Sequence, residues 1–513
     1  MRRALIFFQR IMEECEGKTM DLELSMHEWS GYEPVSDLIV TREESLETAI
    51  PEYCPDLTRI VDSVGQIRIR EKEQRDGSIH LAGVIRVMVL YTSEESAGLR
   101  SLSLTVPFSC SVEDQRQCAF LWADSRLLLL EVKMLGARKL YIRVLPEFRV
   151  RGYRRVTQQI ASGAEGKNLQ LRRGSVQLHT LAALWEREFP FAQELSPKAG
   201  QSAPEDLLMD KTFLRVTELQ PFGNKLVVKG EATLSLLYRS EGQSLCSREE
   251  TLPFSQILEI PDLPEDAEFY GESSIIEQEI HPVRTEDGIG FSVTMRIGVL
   301  IRAYVEQQVE YVSDLYSTSA DLIAVRKDVS LPVALPDLQI QCAANEPLEG
   351  GTFFYLTDAD LSAPELRSDE YGTSVTADMR LRILYLDPSG APVTAERSAQ
   401  ITTAAKRRVT AGHVCALPET MSRSGAGCEL RVPVQFSLQP AEELTITAVT
   451  AVQQQGEIDR AKLPSLVLRR LEEGETLWDA AKRCRTEESA IMAANGLTAE
   501  PSAGVLLLIP KTR

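Results

Sequence analysis

The side chains that most often carry out chemistry are thinly spread along this sequence. Its five histidines stand at 27, 80, 179, 281 and 413, and none has a partner at metal-ligand or catalytic-triad spacing. The nearest approach is His413-x-Cys415, two donors where a closed zinc site uses four. Nine cysteines, at 15, 54, 110, 118, 246, 342, 415, 428 and 484, are odd in number, scattered and without CxxC spacing. That usage suits reduced thiols in a cytosolic protein better than a disulfide framework. HExxH, GxSxG and Walker A motifs are absent, and the run from Gly163 to Asn168 lacks the spacing and the Ser/Thr of a phosphate cradle, so it reads as a loop. With 75 acidic residues, no carboxylate pair stands out as catalytic. The chain therefore reads as a non-enzyme, with no catalytic residue, metal or cofactor assigned.

Composition narrows the classes further. The 513 residues are 43% apolar and carry 56 Lys+Arg against 75 Asp+Glu, a net charge of −19. This is too apolar for disorder and too acidic for a nucleic-acid protein, whose surface must neutralise phosphates. The length predicts about three or four domains. No stretch approaches 18 apolar residues, so no spanning helix is expected. The start, with Arg2, Arg3 and the short apolar run Ala4 to Phe8, is too brief for an export signal, and residues 1–34 read as an N-terminal extension. One segment runs against the acidic trend: Lys133 to Arg173 holds eleven Lys/Arg and two acids. An acidic partner or anionic surface is one reading; the favoured one is that Arg143, Arg149 and Arg151 alternate onto the outward face of a strand and blunt its edge.

The elements that would position any site emerge from an internal repeat. Gly83 to Tyr91, Gly230 to Tyr238 and Ala377 to Tyr385 each run eight steps from a small residue to a tyrosine, alternate in polarity and end in Leu-Tyr. Turn residues follow each: TSEESAG, RSEGQ and LDPSG. This is the pattern of a hairpin with one buried face. The returning strands close on Val106-Pro107-Phe108 and Leu252-Pro253-Phe254, with a weaker third version near Ala399 to Ala404, so the third copy has diverged. Second halves with the same period begin at Arg138, Gly290 and Gly427. The expected fold is mainly β: three tandem sandwich-like modules over 35–175, 200–325 and 330–455. Val176 to Arg187 has apolar residues at helical spacing and is followed by a Ser/Pro/Gly/Gln-rich stretch, so 176–199 reads as a linker.

Residues 464–513 change period. A short strand at Leu466, a turn at Glu472, a helix capped by Thr476, a second helix from Glu487 ending at Asn495-Gly496 and a closing strand at Val505 give the order βααβ. Leu477, Ile491, Leu507 and Ile509 are its expected core. Trp478 belongs to this core or, in a unit too small to cover so large a ring, stands half exposed as an interface anchor.

These residues carry a resemblance. Gly474-Glu-Thr-Leu-Trp478, Asn495-Gly496-Leu497 and Gly504-Val-Leu-Leu-Leu-Ile-Pro510 resemble the G-D-T-L-W, N-x-L and G-x-x-L-x-I-P elements of LysM domains, with Glu475 in place of the usual Asp and Cys484-Arg485 departing from the family pattern. The three β modules, with the stretch from Ile50 to Ile60, are similar to the SPOCS repeat of sporulation proteins, and the whole arrangement is similar to the SipL family of spore-coat morphogenetic proteins. The resemblance implies a non-enzymatic scaffold in the mother-cell cytoplasm at the forespore surface. Its implied partners are the stage IV sporulation ATPase of the coat basement layer, bound through the LysM unit, and other coat proteins. The implied contact residues are Gly474, Glu475, Thr476, Leu477, Trp478, Asn495, Gly496 and Leu497. The alternative is a cell-wall protein in which the same residues contact N-acetylglucosamine of peptidoglycan.

Overall fold

The computed structural model describes residues 23–510 apart from 96–97, 167, 199, 332, 425–426 and 459–463. Residues 1–22 of the expected N-terminal extension lie outside the described residues. Among the described residues the chain is mainly β, with two short helices near its C-terminus.

Each of the three modules is built on one long antiparallel pair. In the first, β1 (Glu23–Thr41) and β2 (Glu44–Ala49) both pair with β7 (Lys139–Glu165). Between them lie β3 (Arg59–Arg75), β4 (Ser78–Thr92) and β5 (Leu99–Glu113), which form one sheet, and β6 (Phe120–Gly136), which pairs with β7. The second module repeats this with β8 (Leu169–Leu195) along β13 (Gly288–Ser317), a sheet of β9 (Pro204–Phe222), β10 (Lys225–Ser240) and β11 (Leu245–Glu259), and β12 (Ala267–Thr285) beside β13. In the third, β14 (Ala320–Leu331) pairs with β23 (Leu444–Glu457), and β15 (Leu338–Leu348) with β22 (Gly427–Pro440). Its sandwich is completed by β16 (Phe354–Leu361), β17 (Glu365–Ser368), β18 (Thr373–Leu386) and β19 (Pro392–Ala405) facing β20 (Val409–Ala416) and β21 (Thr420–Ser424). The three expected hairpins are β4–β5, β10–β11 and β18–β19. Alternation sends Ile85, Val87 and Val89 of β4 into their own sandwich, and Leu234 and Leu381 of β10 and β18 into theirs.

The module boundaries differ from those read in the sequence. Residues 23–34, expected as an extension, are part of β1, and 176–195 of the expected linker are strand β8. The reason is a β-bulge. Ala183 pairs with Ala303 and Leu181 with Tyr304, so Ala182 is an extra residue that flips the strand's parity. The bulge puts Leu181 and Leu184 on one face, three residues apart, while Leu178 is buried on the opposite face of the strand, so the buried leucines of two faces together imitate a helix stripe. Only the polar stretch after Leu195 is a connection, the loop from β8 to β9 inside the second module.

The three modules meet along two common axes of packing. At one, Leu90, Leu237 and Leu384, the leucines just before the repeat tyrosines, are fully buried in one cluster with Val64, Met209 and Tyr355. The Leu-Tyr signature thus divides its work: Tyr91 and Tyr238 fill their own cores, while the leucines join the modules. At the other, the outer halves of β1, β7, β8 and β13 gather with β14 and β23 into a stalk around Trp29, Leu178, Val309 and Ile446.

Buried polar contacts fix all three junctions. Arg86 of the first module meets the buried Asp210 of the second at 2.8 Å, Lys211 of the second pairs with Glu419 of the third, and Arg382 of the third meets Asp62 of the first at 3.0 Å. A chain of alternating charge crosses all three modules: Asp124 to Arg151 at 2.8 Å, Arg151 to Glu272 at 3.9 Å, Glu272 to Arg302, and Arg302 to Asp337 at 3.2 Å. Isolated charges in such a setting are costly, and the alternation is what makes their burial tolerable. Arg149 and Arg151 do point outward from their own sheet, as expected, but into this junction rather than to solvent; Arg143 remains on the surface, paired with Glu43.

Candidate binding unit at the tip of the stalk

The C-terminal unit consists of β24 (Leu466–Arg470), α1 (Leu477–Cys484), α2 (Glu488–Asn495) and β25 (Leu506–Pro510), with β24 and β25 antiparallel. Thr476 caps α1 in a reciprocal box: its Oγ1 accepts from the Asp479 amide, and Asp479 Oδ2 accepts from the Thr476 amide. α2 ends at Gly496, whose φ of 62° is the left-handed conformation that glycine adopts without strain. The expected core residues Leu477, Ile491, Leu507 and Ile509 are buried together with Leu471 and Trp478.

The eight residues singled out in the sequence fall into distinct structural roles. Gly474 and Gly496 are exposed turns, both at positive φ. Leu477 and Trp478 are core, and Leu497 packs against that core. Thr476 is spent on its cap. Glu475 is held between Arg469 at 2.8 Å and Arg483 at 3.4 Å. The Asn495 amide donates to the Ile491 and Leu508 carbonyls and accepts from the Leu508 amide, stitching α2 to β25. The turn before α1 and the segment after α2 are brought together: the Leu477 amide donates to Glu500 Oε1 at 2.9 Å, a carboxylate well placed at a helix N-terminus.

Trp478 is not half exposed. It is 5% accessible, because the end of β13 supplies the cover that the small unit lacks. Tyr316 meets its ring edge-on with centroids 4.8 Å apart, and Asp314 Oδ2 accepts the indole N–H at 2.8 Å. Lys482 Nζ reaches both Asp314 oxygens at 2.7 Å, Tyr316 donates to the Thr486 carbonyl at 2.7 Å, and Arg485 pairs with Asp321. The stalk residues Asp314, Tyr316 and Asp321 were not foreseen. Their one sequence signal was an acid, Asp314, directly before the apolar pair Leu315-Tyr316, displaced inward by a bulge at Ser313. Burial alone would raise the Asp314 pKa, but the bonds from Lys482 and Trp478 outweigh it and hold the carboxyl below its ordinary range.

A polar cavity of about 1420 Å³ lies where the modules meet, lined by Arg151, Glu272, Arg302, His413 and Cys415 among others. His413 and Cys415 share its wall. Burial, with Glu272 and Asp124 adding to it, pushes the Cys415 thiol up to about 11, so at neutral pH it stays protonated and is a poor nucleophile and a poor metal ligand. Among the described residues no three His, Cys, Asp or Glu side chains converge as a metal site. Nor, among them, is any helix long and apolar enough to cross a membrane.

This geometry defines a β-rich assembly of three fused sandwich modules with a small docked unit. Residues 205–283, which run from the start of β9 into β12, match the family described as SipL, SPOCS domain. The chain is thus SipL-like: it carries a SPOCS domain in its second module, which marks it as a sporulation-related protein. No curated protein matches the chain, and no solved structure does.

Proposed function

We propose that the protein is a non-enzymatic sporulation scaffold that binds the ATPase of the coat basement layer through its C-terminal unit and helps assemble the coat around the forespore, acting in the mother-cell cytoplasm. The observation that carries this reading is the SPOCS match in a chain whose modules are locked into one body with a LysM-like unit held at its tip. A body fixed by buried ion pairs and shared apolar contacts suits a spacer that presents a recognition unit at a set position. The exposed turns at Gly474 and Gly496 are the parts of the predicted contact set open to a partner's backbone. The wall-binding alternative is less well supported: the Asn495 amide and the Leu477 N–H, groups that N-acetyl sugars would need, are already engaged within the chain.

The test is a paired pull-down with the full chain, offered separately to the purified basement-layer ATPase and to purified cell-wall glycan. Retention by the ATPase alone supports the scaffold. Retention by glycan alone moves the protein to the wall-binding class.

A further inference from the structure

The outer face of the two-stranded sheet β24–β25 is apolar where a small unit would be expected to be polar. Leu466 is 51%, Leu468 65% and Leu506 57% accessible, and the register places Leu508 opposite Leu468 and Pro510 opposite Leu466 on that side. The inner face is apolar too, through Val467, Leu507 and Ile509. A strand that reads as an unbroken apolar run, as Val505 to Ile509 does, is the pattern of a strand covered on both faces. In the G-x-x-L-x-I-P element the open positions at 506 and 508 are both leucine here, so the excess apolarity sits in the places that the fold itself leaves free. Both strands are also edges: each is paired on one side only.

We infer that this face is the docking surface for a protein partner, an apolar segment carrying a carboxylate. The carboxylate answers Arg470, which lies exposed on the same face beside the leucines and has no ionic partner among the described residues, while neighbouring Arg469 is paired with Glu475. The same arginine argues against a second copy of this chain. A two-fold contact over so small a patch would bring two Arg470 guanidinium groups within a Debye length of about 10 Å. An anionic membrane is disfavoured by charge: residues 464–513 hold seven carboxylates and seven Lys/Arg, without the cation excess that recruits such a surface, and the chain as a whole carries a net charge of −19. The face points away from the stalk contacts of Trp478, Lys482 and Arg485, so the unit binds while docked. This inference rests on the proposed function for the partner's identity and replaces the α1 turn with the sheet face as the main source of affinity.

The test uses the full chain with Leu468→Glu, Leu506→Glu and Arg470→Glu, and the purified basement-layer ATPase as probe, with affinity measured by calorimetry. Hydrogen exchange of the α1 amides confirms in each variant that the unit remains folded and docked. Each leucine variant is expected to weaken binding by about tenfold or more, as for a central anchor. Arg470→Glu is expected to weaken it with a flatter salt dependence. Wild-type binding that survives both leucine variants overturns the inference while leaving the scaffold reading intact; absence of wild-type binding overturns the scaffold reading itself. Concentration-dependent dimers that Leu468→Glu dissolves, or flotation with phosphatidylglycerol vesicles that it abolishes, overturn the inference in favour of a second copy or a membrane.

Discussion

Trp478 donates its indole N–H to Asp314 Oδ2 at 2.8 Å across 164 residues of sequence, and with the Lys482–Asp314 pair and the Tyr316–Thr486 bond it joins the C-terminal unit to the second module's longest strand. The unit needs it. A fold of this size cannot bury a tryptophan alone, and the stalk end provides Tyr316 as the missing wall. Docking therefore completes the unit's core and fixes its orientation together.

Replacing Trp478 by Ala removes ring packing and leaves Asp314 with one partner fewer. The expected cost is about 3–5 kcal/mol, the range for a large aromatic lost from a core. It should fall on the C-terminal unit alone. Hydrogen exchange would show the α1 amides exchanging at least as fast as those of exposed loops while β4 and β10 stay protected; uniform loss of protection would mean that the modules depend on the unit.

The docking contact should respond to acid. A carboxyl held below its ordinary value contributes stability above the unfolded value, about 3.9, and loses it as pH falls through the folded value. Exchange of the α1 amides should therefore be flat from pH 7 to about 5, after correction for intrinsic rates, and rise below about 4. Asp314→Asn keeps an acceptor for the indole but loses the ion pair with Lys482, so it should dock more weakly with a much smaller response to pH. An undiminished acid response in that variant would assign the titration elsewhere.

Arg302 lies between Glu272 of its own module and Asp337 of the third, almost fully buried. Arg302→Met strands two carboxylates, and breaking a buried pair from one side costs about 3–5 kcal/mol. Thermal unfolding should show the melting midpoint falling. Adding Glu272→Gln and Asp337→Asn should recover much of the loss, since the damage is uncompensated charge rather than missing volume. No recovery in the triple variant would mean that the arginine's packing, not its charge, holds the junction.

The sequence made the modules legible because strand period, turn residues and the Leu-Tyr ending are local signals. The helix caps at Thr476 and Gly496 were legible for the same reason. What escaped depended on long-range placement. The bulge at Ala182, in a strand buried on both faces, gave the apolar residues the spacing of a helix, and nothing local to 176–187 marks β13 as its partner. Trp478 could be ranked as core or anchor, but Asp314 and Tyr316 lie too far away in sequence to be paired with it by spacing. The leucines of the repeats were seen as strand residues; that they converge is a property of three modules folding against each other.

The divergence of the third copy has a steric origin that can be tested. Gly83 and Gly230 stand opposite Phe108 and Phe254 in register, and the rings lie over the glycines. A Cβ at Gly230 would come 2.2 Å from Phe254 Cζ and 2.5 Å from the Arg215 carbonyl oxygen; at Gly83 it would come 2.1 Å from the Arg68 carbonyl oxygen. In the third copy Ala377 faces Ile401, so the ring is gone and the methyl is tolerated. Gly230→Ala should therefore destabilise the second module by about 1–3 kcal/mol, the usual cost of overpacking, because the carbonyl cannot swing aside as a side-chain end could. Gly230→Ala with Phe254→Ile, which rebuilds the third copy's pair, relieves the ring clash but not the carbonyl contact, and should recover part of the loss. Chemical denaturation of the two variants decides it. Equal stability of Gly230→Ala and wild type would show that the strand pair shifts freely, and that the glycine is not what holds the aromatic in place.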